Sequence, residues 1–208
     1  LHAQGSAALQ EVVEALGCPA TTSWAGRGAM PDDHHQLLPI WAMDPINKSR
    51  SEADAVLVVG SRLGETDWWG KPPYWGQPGE QKMVQVDIDD EILGLNKSTE
   101  LAVLADANAF LSALAAELRS SPISEARLQA NRARTSELVE GQAKVRGQLD
   151  AALQNTATPM HSSHVPVTCQ KVFGNDAVYV FDGGNATVWA SFFTDINNPD
   201  SLLSTFKF

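Results

Sequence analysis

Three strand-length apolar segments end in glycine and polar residues, and these terminal residues are the best candidates in the sequence for binding a ligand. The segments cover residues 55–63, 83–92 and 177–186 and read AVLVVGSRL, MVQVDIDDEI and AVYVFDGGNA. Buried parallel strands are nearly continuous apolar runs. Because their carboxyl ends meet at one sheet edge, where α/β folds bind ligands, the pattern predicts a nucleotide-binding or cofactor-binding α/β protein.

Hydrophobic periodicity and turn residues predict the elements that position these strand ends. In chain order the first half contains a helix at 6–16 ended by Gly17, a strand at 19–23, a loop at 25–34, a helix at 47–53, strands at 55–59, 83–88 and 101–104, a helical turn at 90–95, and a helix capped by Asp106. Alternating strands and helices predict a doubly wound parallel sheet.

The second half begins with a long polar helix from Ser124 to about Leu153. Its sparse apolar positions predict a surface helix that packs along one narrow stripe and bridges two domains; they include Leu128, Leu138, Val145, Leu149 and Leu153. A helix at 165–173, with Pro166 in its first turn, and a strand at 177–181 follow.

Three regions are expected: a central nucleotide-binding-like α/β domain without its first strand at 1–118, a linker with the long helix at 119–160, and the beginning of a second α/β domain at 161–208. Leu1 leads almost directly into a helix, and Leu202 to Phe208 ends without polar residues that would mark a domain end. We therefore expect an internal piece of a longer polypeptide.

Composition limits the partners and the compartment. The 208 residues carry a formal net charge of −10, which repels nucleic acids and anionic membranes. No apolar run approaches the roughly 18 residues of a membrane span. The two cysteines, Cys18 and Cys169, lie far apart and fit reduced thiols. We expect a soluble, cytoplasmic protein.

Two residue sets have alternative interpretations. His34-His35 and His161-x-x-His164 could suggest a metal, but no cysteine or carboxylate cluster completes either set, so solvated or hydrogen-bonding roles are favoured and no metal ligand is assigned. Four aromatic residues in a proline-rich loop could line a substrate entrance, but more often such residues cover a core edge or a subunit contact. They are Trp68, Trp69, Tyr74 and Trp75.

Several segments, in register, resemble the central domain of the thiamine diphosphate enzymes related to acetolactate synthase. They are PATTSWAGRGAMPDDH at 19–34, EADAVLVVGSR at 52–62, VDIDDEI at 86–92 with Asn96, and Ala105-Asp106. This resemblance covers residues 5–118. From His161, the chain resembles the start of the same family's diphosphate-binding domain.

The resemblance implies a three-domain enzyme, a homodimer or homotetramer, that uses thiamine diphosphate and Mg²⁺ to cleave or form a carbon–carbon bond in a 2-keto acid or related acyl substrate. In the family, a glutamate of the N-terminal domain activates the cofactor, and a Gly-Asp-Gly motif holds the metal. The segment Asp182-Gly183-Gly184 lacks that order. No catalytic residue is therefore assigned, and the isolated chain is expected to be inert.

The resemblance also assigns cofactor-binding positions. Gly184, Asn185 and Ala186 match the loop at the diphosphate end of the cofactor, where two amides could donate to phosphate. Ala186 stands where some members have histidine. The alternative is a tight turn that requires glycine and binds nothing.

A second set of residues aligns with the positions that contact FAD or ADP in some family members: Ser23, Trp24, Arg62, Asp87, Ile88, Asp106 and Ala107. Arg62 could pair with a phosphate, and the two aspartates could accept hydrogen bonds from ribose or adenine. Alternatively, Arg62 bridges to a carboxylate and the aspartates cap helices. Because Pro45 removes a backbone donor from the segment that binds flavin in relatives, FAD is less favoured than an empty central domain.

Other classes of protein remain open from the sequence. The same sheet serves FAD-, ADP- and NAD-binding modules in unrelated proteins. A non-catalytic relative that only forms oligomers would also match, because the catalytic groups lie outside these residues. The segment from His161 favours the enzyme, since a free-standing nucleotide module needs no second domain.

Overall fold

The computed structural model describes residues 4–204, and the ends of the predicted first and last domains, residues 1–3 and 205–208, lie outside the described residues. In chain order the elements are α1 (Ser6–Leu16), α2 (Met43–Glu52), β1 (Ala55–Val59), β2 (Lys82–Asp87), β3 (Leu101–Leu104), α3 (Ala107–Ser120), α4 (Glu125–Ala151), α5 (His164–Phe173), β4 (Tyr179–Phe181), α6 (Asn185–Phe193) and β5 (Leu202–Ser204), with 3₁₀ segments at Glu65–Gly70 and Ala152–Gln154. Within residues 4–204, none of the helices is both long enough and apolar enough to cross a membrane.

Two parallel sheets organise the chain. The strands β1, β2 and β3 lie side by side in that order, and β4 pairs with β5 in a separate two-stranded sheet. Val59 pairs with Val86, and Asp87 with Leu104, so the carboxyl ends of the first three strands are neighbours. The predicted parallel α/β fold class is confirmed, with the beginning of a second α/β unit after it.

Apolar clusters pack against the two faces of the three-stranded sheet at β1 and β2, whereas β3 is mostly exposed. Helices α1 and α3 pack together on one face, where Val12, Leu111 and Ala115 form a buried cluster against Val59. On the opposite face, the loop after β1 places Leu63 and Trp75 over Val58 and Met83. Strands buried in this way need apolar side chains on both faces, and the sequence of β1, AVLVV, provides them.

Local signals explain the elements whose bounds agree with the sequence prediction. Helix α1 ends at Gly17, which adopts the left-handed conformation with φ 64°. Asp106 caps α3, because its Oδ1 accepts a hydrogen bond from the Ala109 amide at 2.9 Å. The long helix begins after Ser124, whose hydroxyl accepts from the Arg127 amide at 3.3 Å.

The predicted strand at 19–23 is wrong. The segment makes a single parallel bridge, between Ala20 and Leu37. Pro19 offers no amide donor, and the Ser23 hydroxyl accepts from the Gly26 amide at 3.1 Å, which turns the chain where a strand would continue.

Other bounds shift for similar local reasons. Helix α2 begins at Met43, four residues before the predicted start at 47, because Pro45 lies in its first turn, where no amide donor is needed. Residues 90–95 form successive turns, and no helix is assigned to them. Strand β4 begins at Tyr179, whereas the predicted strand begins at residue 177, and β4 is as short as its partner β5.

Helix α4 docks along the first α/β unit through a mixture of polar and apolar contacts. The Asn131 side-chain amide donates to the Leu16 carbonyl at 2.7 Å, and the Thr135 hydroxyl donates to the Gly17 carbonyl at 2.9 Å. Leu138, 3% exposed, packs against Ile46 of α2. Only part of the contact surface is apolar, which explains why the predicted hydrophobic stripe is sparse.

Glu137 of α4 sits between two cations at the surface. Its Oε1 lies 2.7 Å from Lys48 Nζ, and its Oε2 lies 2.5 Å from Arg134 Nη1. The hydrogen bonds from Lys48 and Arg134 lower the pKa of Glu137 from 4.5 to about 2.

We expect this interaction to stabilise the contact between α2 and α4 above the ordinary glutamate pKa and to be lost as the pH falls through the folded-state value. The favourable contribution therefore declines between pH 4.5 and about 2. An NMR pH titration of the Glu137 side chain at low ionic strength should give a pKa of about 2, and added salt should raise it. A midpoint near the ordinary glutamate value at low salt would contradict this contact.

Candidate functional site: the carboxyl ends of the strands

The carboxyl edge of the three-stranded sheet brings together most of the predicted nucleotide-contacting residues. Arg62 lies three residues beyond the end of β1, Asp87 ends β2, and Ile88 follows it. Asp106 and Ala107 begin α3 directly after β3. Ile88 is 76% exposed, and Arg62 and Asp106 are also exposed. These five residues therefore lie at or next to the ends of neighbouring strands, where Arg62, Ile88 and Asp106 are exposed and Asp87 and Ala107 are half-buried.

The hydrogen bonds of these residues separate the alternatives left open by the sequence. Asp106 caps α3, in agreement with the alternative in which this aspartate caps a helix. Asp87 Oδ1 accepts from the Asp89 amide at 3.1 Å, which holds the turn after β2. Within residues 4–204, Arg62 forms no ion pair, and its guanidinium lies over Gly64. Arg62 is thus the cation at this rim that is available to an anionic ligand.

Gln85 connects the two loops at this edge, and the sequence analysis did not identify it. Its side chain is buried, with Nε2 donating to the Ser61 carbonyl at 2.9 Å and Oε1 accepting from the Gly94 amide at 2.8 Å. A polar residue in the middle of the otherwise apolar run of β2 was the available signal, because a buried amide must find partners. Gln85 therefore fixes the loop after β1 against the loop after β2.

We expect Gln85→Leu to lower the free energy of unfolding by about 1–3 kcal/mol, because the Ser61 carbonyl and the Gly94 amide lose their partners. Urea unfolding followed by circular dichroism measures this change. Gln129→Leu is the matched control, since Gln129 is exposed and bonds only to Glu125. A Gln85→Leu effect no larger than the control would show that the two loops do not depend on this side chain.

Ser23 and Trp24 lie in the turn after the Ala20 bridge. The Ser23 hydroxyl holds the turn, and the Trp24 ring lies 6.1 Å from the Phe192 ring of α6. Trp24 also borders a cavity of only about 10 Å³ together with Arg50 and Thr66. This space is about that of one water molecule.

The amino terminus of α6 forms a strand–glycine–helix turn with exposed residues. Strand β4 ends at Phe181, and Gly184 then adopts φ 81° and ψ −168°, a backbone conformation open essentially only to glycine. Gly184, Asn185 and Ala186 are exposed. Within the described part of the chain, no acceptor is recorded for their three amides, whereas the Gly183 amide donates to Asp182. Free amides at a helix amino terminus are suited to bind phosphate.

A cavity of about 390 Å³ opens elsewhere, at the amino-terminal edge of the sheet. It is bordered by Asp54, Trp75 and Gln81 and contains none of the predicted site residues. The Gln81 side chain is used structurally, because its Nε2 donates to the Arg50 and Ala53 carbonyls. The position of this cavity does not fit the chemistry expected at the strand ends.

Three of the histidines, His34, His161 and His164, make hydrogen bonds, and His35 stacks on His34. His34 Nε2 lies 3.1 Å from Glu14 Oε1, and His164 Nε2 lies 2.8 Å from the Asn155 carbonyl. His161 Nδ1 lies 2.8 Å from the Ser163 hydroxyl. Among residues 4–204, no group of three or more His, Cys, Asp or Glu side chains could hold a metal ion.

The aromatic loop is partly buried and partly exposed. Trp75 is 4% exposed and belongs to the core, where its Nε1 donates to the Asp67 carbonyl at 2.8 Å. Trp68 and Trp69 are 38% and 43% exposed, and Trp68 stacks on Tyr74. The loop therefore covers a core edge and also presents two rings to solvent.

A parallel α/β domain with loops at its strand ends is followed here by a strand–glycine–helix unit, an arrangement that occurs in multidomain α/β proteins that bind cofactors. The chain belongs to the thiamine pyrophosphate enzyme family, whose central-domain model matches residues 1–114. The predicted relationship to acetolactate synthase is confirmed.

Curated relatives include three differently named enzymes. Acetolactate synthase of Mycobacterium bovis is 25% identical over 213 aligned residues, which cover 99% of this chain and 32% of the relative. A 2-hydroxyacyl-CoA lyase of Oryza sativa subsp. japonica is 26% identical, over 58% of this chain and 20% of the relative. Sulfoacetaldehyde acetyltransferase of Castellaniella defragrans is 32% identical, over 47% of this chain and 17% of the relative. The chain thus spans at most about a third of the length of these proteins.

Proposed function

We propose that this chain supplies the central domain and the beginning of the diphosphate-binding domain of a larger thiamine diphosphate-dependent enzyme. The match to acetolactate synthase extends over 99% of the chain and therefore includes the second α/β unit. The boundaries at 118 and 160 remain part of this proposal.

The observation that carries the proposal is the fit of α6 to a diphosphate group. Three exposed amides, of Gly184, Asn185 and Ala186, stand without acceptors at the positive end of a nine-residue helix. These amides would hold the diphosphate by hydrogen bonds. When bound, thiamine diphosphate supplies a nucleophilic carbon that makes or breaks a bond next to a carbonyl. The residues of this chain would bind and orient the cofactor. None of them is assigned as an acid, a base or a metal ligand.

The proposed reaction is carbon–carbon bond cleavage or formation at a 2-keto acid or related acyl substrate. The names of the relatives, a synthase, a lyase and an acetyltransferase, support this general chemistry. Mg²⁺ as a second cofactor, a homodimer or homotetramer and a cytoplasmic location complete the proposal. The isolated chain is proposed to be inactive, because the catalytic groups of the family do not match any of its residues.

A second candidate function is nucleotide binding at the carboxyl edge of the central domain. It is favoured by the unpaired Arg62 on the same rim as Asp87 and Asp106. FAD or ADP would place its phosphates near Arg62. A visible spectrum of the purified full-length protein and release of adenine nucleotide on denaturation test this function. A colourless protein without releasable nucleotide would end it.

The main proposal is tested by calorimetric titration of the full-length apoprotein with thiamine diphosphate and Mg²⁺, followed by an assay of pyruvate consumption. We expect saturable cofactor binding and cofactor-dependent turnover of a 2-keto acid. The 208-residue chain alone, assayed in parallel, should show no turnover. A full-length protein that binds no thiamine diphosphate would overturn the proposal.

A further inference from the structure

A single buried arginine joins the central domain to the carboxyl end of α6. Arg27 Nη1 donates to the Ser191 carbonyl at 2.7 Å, and Nη2 donates to the Thr194 carbonyl. The side chain of Arg27 is only 1% exposed. Its partners in α6 and just beyond it lie more than 160 residues away in sequence.

Asp32 holds the arginine in place. Its Oδ2 accepts from Arg27 Nε at 3.1 Å and from Nη2, and it also accepts from the Ile196 amide at 2.8 Å. The Asp32 amide donates in return to the Ile196 carbonyl at 3.0 Å. The pair is thus bonded to the segment after α6 through both its cation and its anion.

The approach between the two segments is close. A Cβ atom added to Gly28 would lie 3.2 Å from Ile196 Cγ2, and Gly28 has φ 89°, so a larger residue would be both strained and crowded. Ile196 is 1% exposed. The central-domain loop that contains Gly28 therefore packs closely against the segment that follows α6.

We propose that Arg27, held by Asp32, is a positioning residue that fixes the phosphate-binding amides of α6 relative to the central domain. The inference rests on the proposed diphosphate site. Helix α6 is about 13 Å long at 1.5 Å per residue, and its Gly184–Ala186 amides lie at the end opposite to Arg27. Because a short helix moves as a rigid body, a change at its carboxyl end displaces those amides.

The chemistry of the contact requires arginine. The planar guanidinium reaches two carbonyls and one carboxylate at once, whereas a lysine ammonium is a point charge on a flexible stem. A cation at the carboxyl end of a helix also opposes the helix dipole favourably. Arg27→Lys should therefore retain the charge and part of the contact, and Arg27→Met should lose both.

Thiamine diphosphate titration and amide hydrogen exchange of residues 185–193, both in the full-length protein, test the inference. We expect Arg27→Met to weaken binding by roughly tenfold to a hundredfold, as small misplacements of binding groups do, and to accelerate exchange in α6. Arg27→Lys should fall between Met and wild type, and it provides the same comparison if the Met variant does not fold.

Arg50→Met is the matched control, because Arg50 is also buried and paired with an aspartate, Asp67, but its partners lie within the central domain. It should leave cofactor affinity and α6 exchange unchanged at a temperature where it is folded. Wild-type affinity and exchange in folded Arg27→Met, or equal losses in both variants, would overturn the inference. If the wild type binds no thiamine diphosphate, the proposed function fails, and the exchange comparison alone decides whether Arg27 positions α6.

Discussion

Arg50→Met is expected to lower the free energy of unfolding by about 3–5 kcal/mol, because it leaves the Asp67 carboxylate buried without its partner. Arg50 Nη2 lies 2.8 Å from Asp67 Oδ1, and the two side chains are 9% and 8% exposed. The guanidinium also lies 5.0 Å from the centre of the Trp75 ring. Denaturant unfolding at neutral pH measures the loss.

The pH dependence of the Arg50→Met effect tests whether the unpaired Asp67 carboxylate causes the loss of stability. Burial raises the pKa of Asp67, and Arg50 opposes this rise, so removing Arg50 raises the pKa further. A carboxyl whose folded pKa lies above its unfolded value of 3.8 destabilises the fold increasingly as the pH rises between the two values. The Arg50→Met effect should therefore shrink on acidification.

Two further variants separate this interpretation from a simple loss of packing. Arg50→Met with Asp67→Asn removes the unpaired charge and should recover part of the stability. Arg134→Met removes a partly exposed arginine that pairs with Glu52 and Glu137, and it should cost about 0–1 kcal/mol. If Arg50→Met were no worse than Arg134→Met, the buried pair would not matter to stability.

Gly184→Ala is expected to weaken thiamine diphosphate binding by about 5- to 150-fold, which corresponds to about 1–3 kcal/mol of backbone strain. A Cβ at Gly184 would meet no atom within 4 Å, so the effect arises from the φ of 81° and not from a clash. The loop would relax from the conformation that presents the amides. Titration calorimetry of the full-length protein measures the affinity.

Gly183→Ala is the matched control for this prediction. Its Cβ would also meet no atom within 4 Å, and Gly183 does not adopt a positive φ in the left-handed range. It should bind the cofactor nearly as the wild type does. Equal affinity in both variants and the wild type would show that the geometry of this turn does not matter for binding.

The sequence predicted those features that depend on local signals. Helix α1 and strand β3 have the predicted bounds, because each is an apolar pattern next to Gly17 or Asp106. The predicted Pro19–Ser23 strand is wrong because the threonines have strand propensity, whereas in this structure Ala20 makes a single bridge and Ser23 holds a turn. Propensity cannot reveal that choice.

The contacts that set the candidate site were not predictable in the same way. Arg27 lies between two glycines of a loop, and nothing local indicates that its two carbonyl acceptors lie beyond residue 190. Gln85 carried a signal, a polar residue in a buried strand, but its two partners lie on separate loops. Residue types predicted where a ligand would bind, whereas long-range packing determines the conformation of that site.

The docking of α4 has a consequence for how limited proteolysis would divide the protein. Asn131 and Thr135 fasten this helix to the last carbonyls of α1, and Leu138 anchors it to α2. A protease that cuts the irregular segment around residues 155–160 would therefore leave α4 attached to the central domain. The fragment that survives would extend to about residue 151 and would contain α4 together with the central domain.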